Sequence, residues 1–298
     1  MVSYGPMGRN VADVALAMKA ICSEIMQDID PLVIPISFRE EIYESKRALR
    51  IGYFDDNGHV TPTPSCKRAV HLSKEILERQ GHELVPFNLP RGGEYGMMLS
   101  LRILNADDGR TLLDCWKDED VDDTVKGVYF LSNLSSKIKA VVGRLLKFVY
   151  PRFGTLALQS IGCNDVHTLW KYYNERQLYI DEVMAAWKTA KLDALICPAF
   201  SYPALPYGFA HDMLYGATYT VVFNLLDFPA GIVPVTMETK EDQKALDNYP
   251  RTDLWDRKIV EATRGATGMP VGVQCVTLPW KEEQCLRVMG DIEAGLDN

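Results

Sequence analysis

Residues 223–235 read Phe-Asn-Leu-Leu-Asp-Phe-Pro-Ala-Gly-Ile-Val-Pro-Val. The stretch is too apolar for a surface loop, and Pro229, Gly231 and Pro234 prevent it from being one long helix. A transmembrane helix needs about 20 apolar residues with few charges, which Asp227 and the two prolines oppose. What remains is the end of a buried helix, a turn through Pro229-Ala230-Gly231, and a buried strand from Ile232 to Val235. Turns of this kind carry binding sites in α/β proteins. Asp227 is expected to be buried there and to bond backbone amides rather than to do acid–base chemistry.

Upstream, Asn10 is placed to cap a helix whose apolar stripe is Val11, Val14, Leu16, Met18 and Ile21. Pro31 to Pro35 crosses as a loop. Leu49–Phe54 reads as a strand, a helix capped by Ser65 follows and ends at Gly81, and Leu84–Phe87 is the next strand. Strand, helix, strand in that order predicts a parallel crossover in an α/β sheet. A helical block extends from about Tyr95 to Lys191, clearest between Trp170 and Ala190. Leu192–Pro198 and Val271–Thr277 read as strands, Glu238–Pro250 as a polar insert, and Trp280–Leu296 as an amphipathic helix. No linker divides residues 1–298, so one α/β core with an inserted helical lobe is expected.

Composition excludes several classes. With 47% hydrophobic and 24% charged residues the chain is ordinary for a globular protein. The seven cysteines form no C-x-x-C pair, which predicts reduced thiols rather than a disulfide framework or a zinc site. A net charge of -8 opposes broad nucleic-acid binding. No signal peptide opens the sequence. His59, His71, His82, His167 and His211 have no metal-ligand spacing, and no nucleotide-binding glycine motif or G-x-S-x-G occurs. No metal or cofactor is implied. Ser136 and Lys139 have S-x-x-K spacing, which without companion motifs reads as coincidence.

The charge distribution is uneven. Residues 126–164 hold no acidic residue but six basic ones: Lys126, Lys137, Lys139, Arg144, Lys147 and Arg152. Within this run Ile138, Val141, Val142, Leu145 and Val149 share one helical face, and Lys137, Arg144 and Lys147 take another. Pro151 ends the helix, with Phe148, Tyr150 and Phe153 at its margin. An interfacial membrane anchor has this pattern: an apolar face for the acyl boundary and cations for anionic headgroups. The competing reading is a helix packed on the core by its apolar face, with a solvated basic face.

Three segments together resemble the amidase signature family. They are Gly5-Pro-Met-Gly-Arg-Asn-Val-Ala-Asp-Val-Ala-Leu16, the 223–235 stretch, and Gly268-Met-Pro-Val-Gly-Val-Gln274. The segments 28–41 (DIDPLVIPISFREE) and 275–289 (CVTLPWKEEQCLRVM) are similar to its fatty acid amide hydrolase branch, over the C-terminal half. The resemblance implies an α/β fold with a mixed sheet covered by helices and an inserted helical membrane-cap lobe at 126–164. It implies hydrolysis of long-chain fatty acid amides by a Ser-Ser-Lys triad. In the family the triad and the glycine-rich oxyanion turn precede the G-P-M segment, and no Gly-Ser-rich signature occurs in these residues. No catalytic residue is therefore assigned.

By the same resemblance Leu156 is expected near a membrane portal, and Leu104, Val221 and Trp255 along an acyl channel. Plain core packing is the competing reading for each of the four. Ile138, Lys139, Val142, Arg144, Leu145, Lys147 and Phe148 are expected to contact the membrane. Asn105 stands where relatives carry an aromatic residue, and Tyr215 where they carry a smaller one. Lipid amide substrate, a membrane surface and a second copy of the chain are the implied partners. The implied location is a cytosol-facing membrane, that of the endoplasmic reticulum. A non-catalytic, membrane-associated lipid-binding protein is the rival from another class. A soluble amidase of the glutamine-amidotransferase type is weaker, because the basic amphipathic helix counts against it.

Overall fold

The structure, a computed structural model, describes residues 4–31, 33–123, 125–163, 165–209 and 216–296. Leu32, Asn164, His211 and Tyr215 lie outside the described residues. The chain first forms α1 (Val11–Ile21), α2 (Glu24–Ile29) and α3 (Glu40–Tyr43), and Asn10 caps α1 by accepting the Asp13 amide. Then come β1 (Arg50–Tyr53), α4 (Pro64–Arg79) and β2 (Glu83–Pro86). Ser65 lies inside α4 and does not cap it: Thr63 is the N-cap and Pro64 occupies the first turn.

The helical block comprises α5 (Gly92–Leu104), α6 (Arg110–Cys115), α7 (Lys126–Asn133), α8 (Ser136–Val149), α9 (Pro151–Gln159) and α10 (Val166–Ala190). It is followed by β3 (Ala194–Pro198), α11 (Thr218–Leu226), β4 (Ala230–Met237), α12 (Lys240–Ala245), α13 (Leu254–Thr263), β5 (Pro270–Val276) and α14 (Glu282–Leu296). The polar insert thus carries its own short helix, α12, stopped by a 3-10 turn at Leu246–Asn248.

Among the described residues the strands form one five-stranded sheet in the order β2-β1-β3-β5-β4. β1 runs parallel to β2 and β3, while β5 runs antiparallel to β3 and β4, so the sheet is mixed. All of β3 is buried, because helices cover both of its faces. Ala194 and Ile196 join the core under α1, α4 and α14, whereas Leu195 and Cys197 join Tyr179, Trp187 and Phe223 on the opposite side.

The 223–235 stretch folds as helix, turn and strand. Asp227 closes α11 in the left-handed conformation at φ +56°. Two details differ from expectation. The Asp227 side chain is largely exposed and pairs with Arg176, because its backbone conformation turns it away from the core. β4 is an edge strand whose Val233 and Val235 are buried while Ile232 and Pro234 are not. An edge position also accommodates Pro234, which has no amide to donate, next to a register shift against β5. Gly231 is demanded by packing, since a Cβ there would lie 2.3 Å from the Met289 sulfur of α14.

α8 and α9 fold back on each other at Tyr150, which caps both, with Pro151 in the first turn of α9. They cross at two glycines. A Cβ on Gly154 would meet the Lys147 amide nitrogen at 2.3 Å and the Gly143 carbonyl oxygen at 2.7 Å. Gly154→Ala is expected to overpack the crossing and lower stability by about 1–3 kcal/mol. Thermal unfolding followed by circular dichroism checks this, and an unchanged midpoint would contradict so close a crossing.

Candidate substrate site and lobe surface

One apolar cluster gathers side chains from α5, α9 and α13: Met97, Met98 and Leu101, then Leu156, then Trp255 and Ile259. Val221 of α11 packs against it half-buried. The structure therefore brings Val221 and Trp255, expected along the acyl channel, together with Leu156, expected near the portal; Trp255 is only 5% and Leu156 9% exposed. Leu104 stands apart, 49% exposed at the end of α5, one helical turn beyond Leu101. Sequence reading missed Met97, Met98 and Leu101, whose i, i+1, i+4 spacing on one helical face is the available signal.

The cluster is braced by polar groups. Arg152, at the start of α9, donates to Asp253 and Asp256 at the start of α13 and to the His59 carbonyl. Burial works against the Arg152 charge, but the two carboxylates more than offset it and hold the guanidinium above its ordinary pKa. Burial pushes the His59 imidazole below its ordinary value. Two surface cavities lie nearby. One of about 460 Å³ is lined by Arg251, Arg257, Val260 and Glu261 along α13. The other, about 350 Å³, lies beyond β1 and β2 between Asn57, Asn88 and Gly93.

α8 packs inward by Gly143 and Lys139, not by its apolar face. Ile138, Val141, Leu145, Phe148 and Val149 all face outward, with Leu145 64% and Phe148 88% exposed. Lys137, Arg144 and Lys147 are exposed beside them, and Val142 is half-buried at the margin. Phe130 of α7 adds to the exposed apolar surface. Among the described residues the apolar face of α8 is not turned onto the core. Among the described residues no helix is long and apolar enough to cross a membrane.

Two expected surface residues are turned the other way. Lys139, only 7% exposed, cannot contact a membrane: its ammonium donates to the Asp108 carboxylate at 2.8 Å. Phe153 is not at the aromatic margin but stacks on Trp255 with ring centroids 6.5 Å apart. The Ser136 hydroxyl also donates to Asp108, at 2.7 Å. The S-x-x-K pair is thus occupied by a shared carboxylate: the Ser136 hydroxyl and the Lys139 ammonium both donate to Asp108. Asp108 further accepts the Gly162 amide at 3.3 Å, so one carboxylate joins both connections between core and lobe to α8.

A mixed sheet with this helical cover and an apolar cluster gathered from its helices is the architecture of an amidase-signature fold. Residues 1–286 match the family described as Amidase, and the chain belongs to that family. Fatty-acid amide hydrolase 1 of Sus scrofa is 37% identical over 297 residues, which cover 98% of this chain and 50% of that protein. Fatty acid amide hydrolase 1 of Caenorhabditis elegans is 36% identical over 292 residues, or 97% of this chain and 50% of that protein. A solved fatty acid amide hydrolase superposes with a TM-score of 0.71 at 20% identity, over 99% of this chain and 48% of that one, which shows the fold. The chain spans about half the length of the curated relatives it matches.

The Asp108 centre makes a pH prediction. Burial alone would raise its pKa, but hydrogen bonds from Lys139, Ser136 and Gly162 bring it below the ordinary 3.8. A depressed folded-state pKa stabilises above the unfolded value, and the contribution disappears as pH falls through the folded one. Asp108→Asn is expected to destabilise by about 3–5 kcal/mol at neutral pH, because it leaves Lys139 buried without its counter-charge. It should also remove part of the acid dependence below the ordinary carboxylate range. Denaturant titrations at several pH values test this; parallel profiles for wild type and variant would refute it.

Proposed function

We propose that this chain forms the acyl-binding side of an amide hydrolase that takes long-chain fatty acid amides from a membrane surface and, with water, releases fatty acid and amine. The observation that carries the reading is the orientation of α8. Its apolar face points outward, bounded by Arg144 and Lys147, while the paired helix α9 sends Leu156 into the apolar cluster. Each cation near an anionic leaflet contributes about 1 kcal/mol, and each methylene buried in the cluster about 0.8 kcal/mol. The similarity to fatty-acid amide hydrolases of pig and nematode supports the substrate class.

In this reading Val221, Leu156 and Trp255 line the acyl chain, with Leu104 at the surface end of the same α5 stripe. The Ser-Ser-Lys machinery is assigned to sequence upstream of the Gly5-Pro6-Met7 segment. The 298 residues alone are then expected to show no hydrolysis of an acyl amide. A gene product that also carries a Gly-Ser-rich signature is expected to be active. Turnover by the chain alone that survives purification would overturn the triad assignment. Lipid binding without turnover by the longer product would favour the non-catalytic reading.

Membrane contact is tested separately. Arg144→Glu with Lys147→Glu is expected to release the protein from anionic liposomes, and Leu145→Asp with Phe148→Asp to weaken binding to zwitterionic ones as well. Unchanged co-sedimentation in both cases would sink the membrane reading.

A further inference from the structure

We propose that Arg152 is a positioning residue that sets the separation of α9 and α13, and through it the chain-length preference of the acyl site. The inference rests on the acyl-site reading above and adds to it what controls the contact between α9 and α13. α9 and α13 are far apart in sequence, and Arg152 bonds the start of one to the start of the other. The Arg152 Nε and one terminal nitrogen hold Asp253, that same nitrogen reaches Asp256, and the other donates to the His59 carbonyl at 3.2 Å.

Both carboxylates are fixed independently on α13. Asp253 accepts the Trp255 amide at 2.9 Å, and Asp256 accepts the Thr252 amide at 2.9 Å. The guanidinium therefore docks α9 onto a preformed acceptor. The residues that follow from each side are those of the proposed site. Phe153 stacks on Trp255 at an interplanar angle of 30°, and Leu156 lies one turn further along α9. Val221, Met97 and Leu101 come from α11 and α5 and complete the cluster. An acyl chain long enough to pass the α5 and α11 side chains would meet the contact between α9 and α13, whereas a shorter one would stop before it.

A lysine keeps the charge but is a single point donor, so it cannot hold two carboxylates and a carbonyl in one fixed fork. Arg152→Lys should therefore fail to rescue the long-chain preference. The more conservative Asp256→Asn keeps the Arg152–Asp253 pair and guards against simple loss of folding.

The test is calorimetric titration of the 298-residue chain, and of these two variants, with octanamide and hexadecanamide, alongside thermal unfolding midpoints. Wild type is expected to prefer the longer amide strongly, since each buried methylene is worth about a fourfold gain in affinity. Both variants are expected to bind octanamide as wild type does and to lose roughly tenfold or more for hexadecanamide, the benefit of about two methylenes. An unchanged ratio of the two affinities would overturn the proposal. So would a loss for both amides in step with a fall in the unfolding midpoint, which marks Arg152 as merely structural. A wild type that favours neither amide would overturn the acyl-site reading itself, an outcome visible before any variant is measured.

Discussion

The Asp108 carboxylate is the constraint on which the lobe depends. It lies just beyond α5, in the left-handed conformation, and gathers an ammonium and a hydroxyl from α8 and an amide from the return connection after α9. Because Lys139 must face it, the inner side of α8 is settled by charge pairing, not by hydrophobic burial. Gly143 and Gly154 then let α9 pack closely along that same side. The apolar residues of α8 are left with no direction but outward. An exposed stripe from Ile138 to Val149 would otherwise be an unfavourable way to place five large apolar side chains in water.

The same hierarchy explains what could be read from the residues. The β1–α4–β2 unit, the α11–β4 turn and the long helix α10 all come from local signals: periodicity, caps and prolines. The mixed sheet came only with the resemblance, since strand direction depends on partners that periodicity does not name. Lys139 was grouped with the outward cations because helical spacing cannot see a carboxylate 31 positions away. Phe153 and Arg152 were read as part of a basic, aromatic margin, yet their partners on α13 lie about a hundred residues on, at Asp253 and Trp255. Asp227 was expected to be buried because its neighbours are, but a left-handed backbone reverses the side chain's direction.

The candidate site shows the same division. Trp255, Leu156 and Val221 meet in one apolar cluster, although they come from three helices far apart in sequence. The Met97–Leu101 wall was legible in principle as a stripe on α5, but a stripe alone does not distinguish a ligand wall from ordinary core. Leu104 continues the same stripe, but one further turn brings it to the surface.

The corner at Tyr150 has a mechanical side. One residue caps both helices, and Pro151 fixes the backbone torsion where α9 begins. With the glycine crossing close by, α8 and α9 form a stiff bracket rather than two helices on a loose tether. A load applied to the outer face of α8 has little compliance to absorb it before it reaches Phe153 and Leu156. The outer face of α8 and the interior cluster are, in this bracket, two ends of one lever.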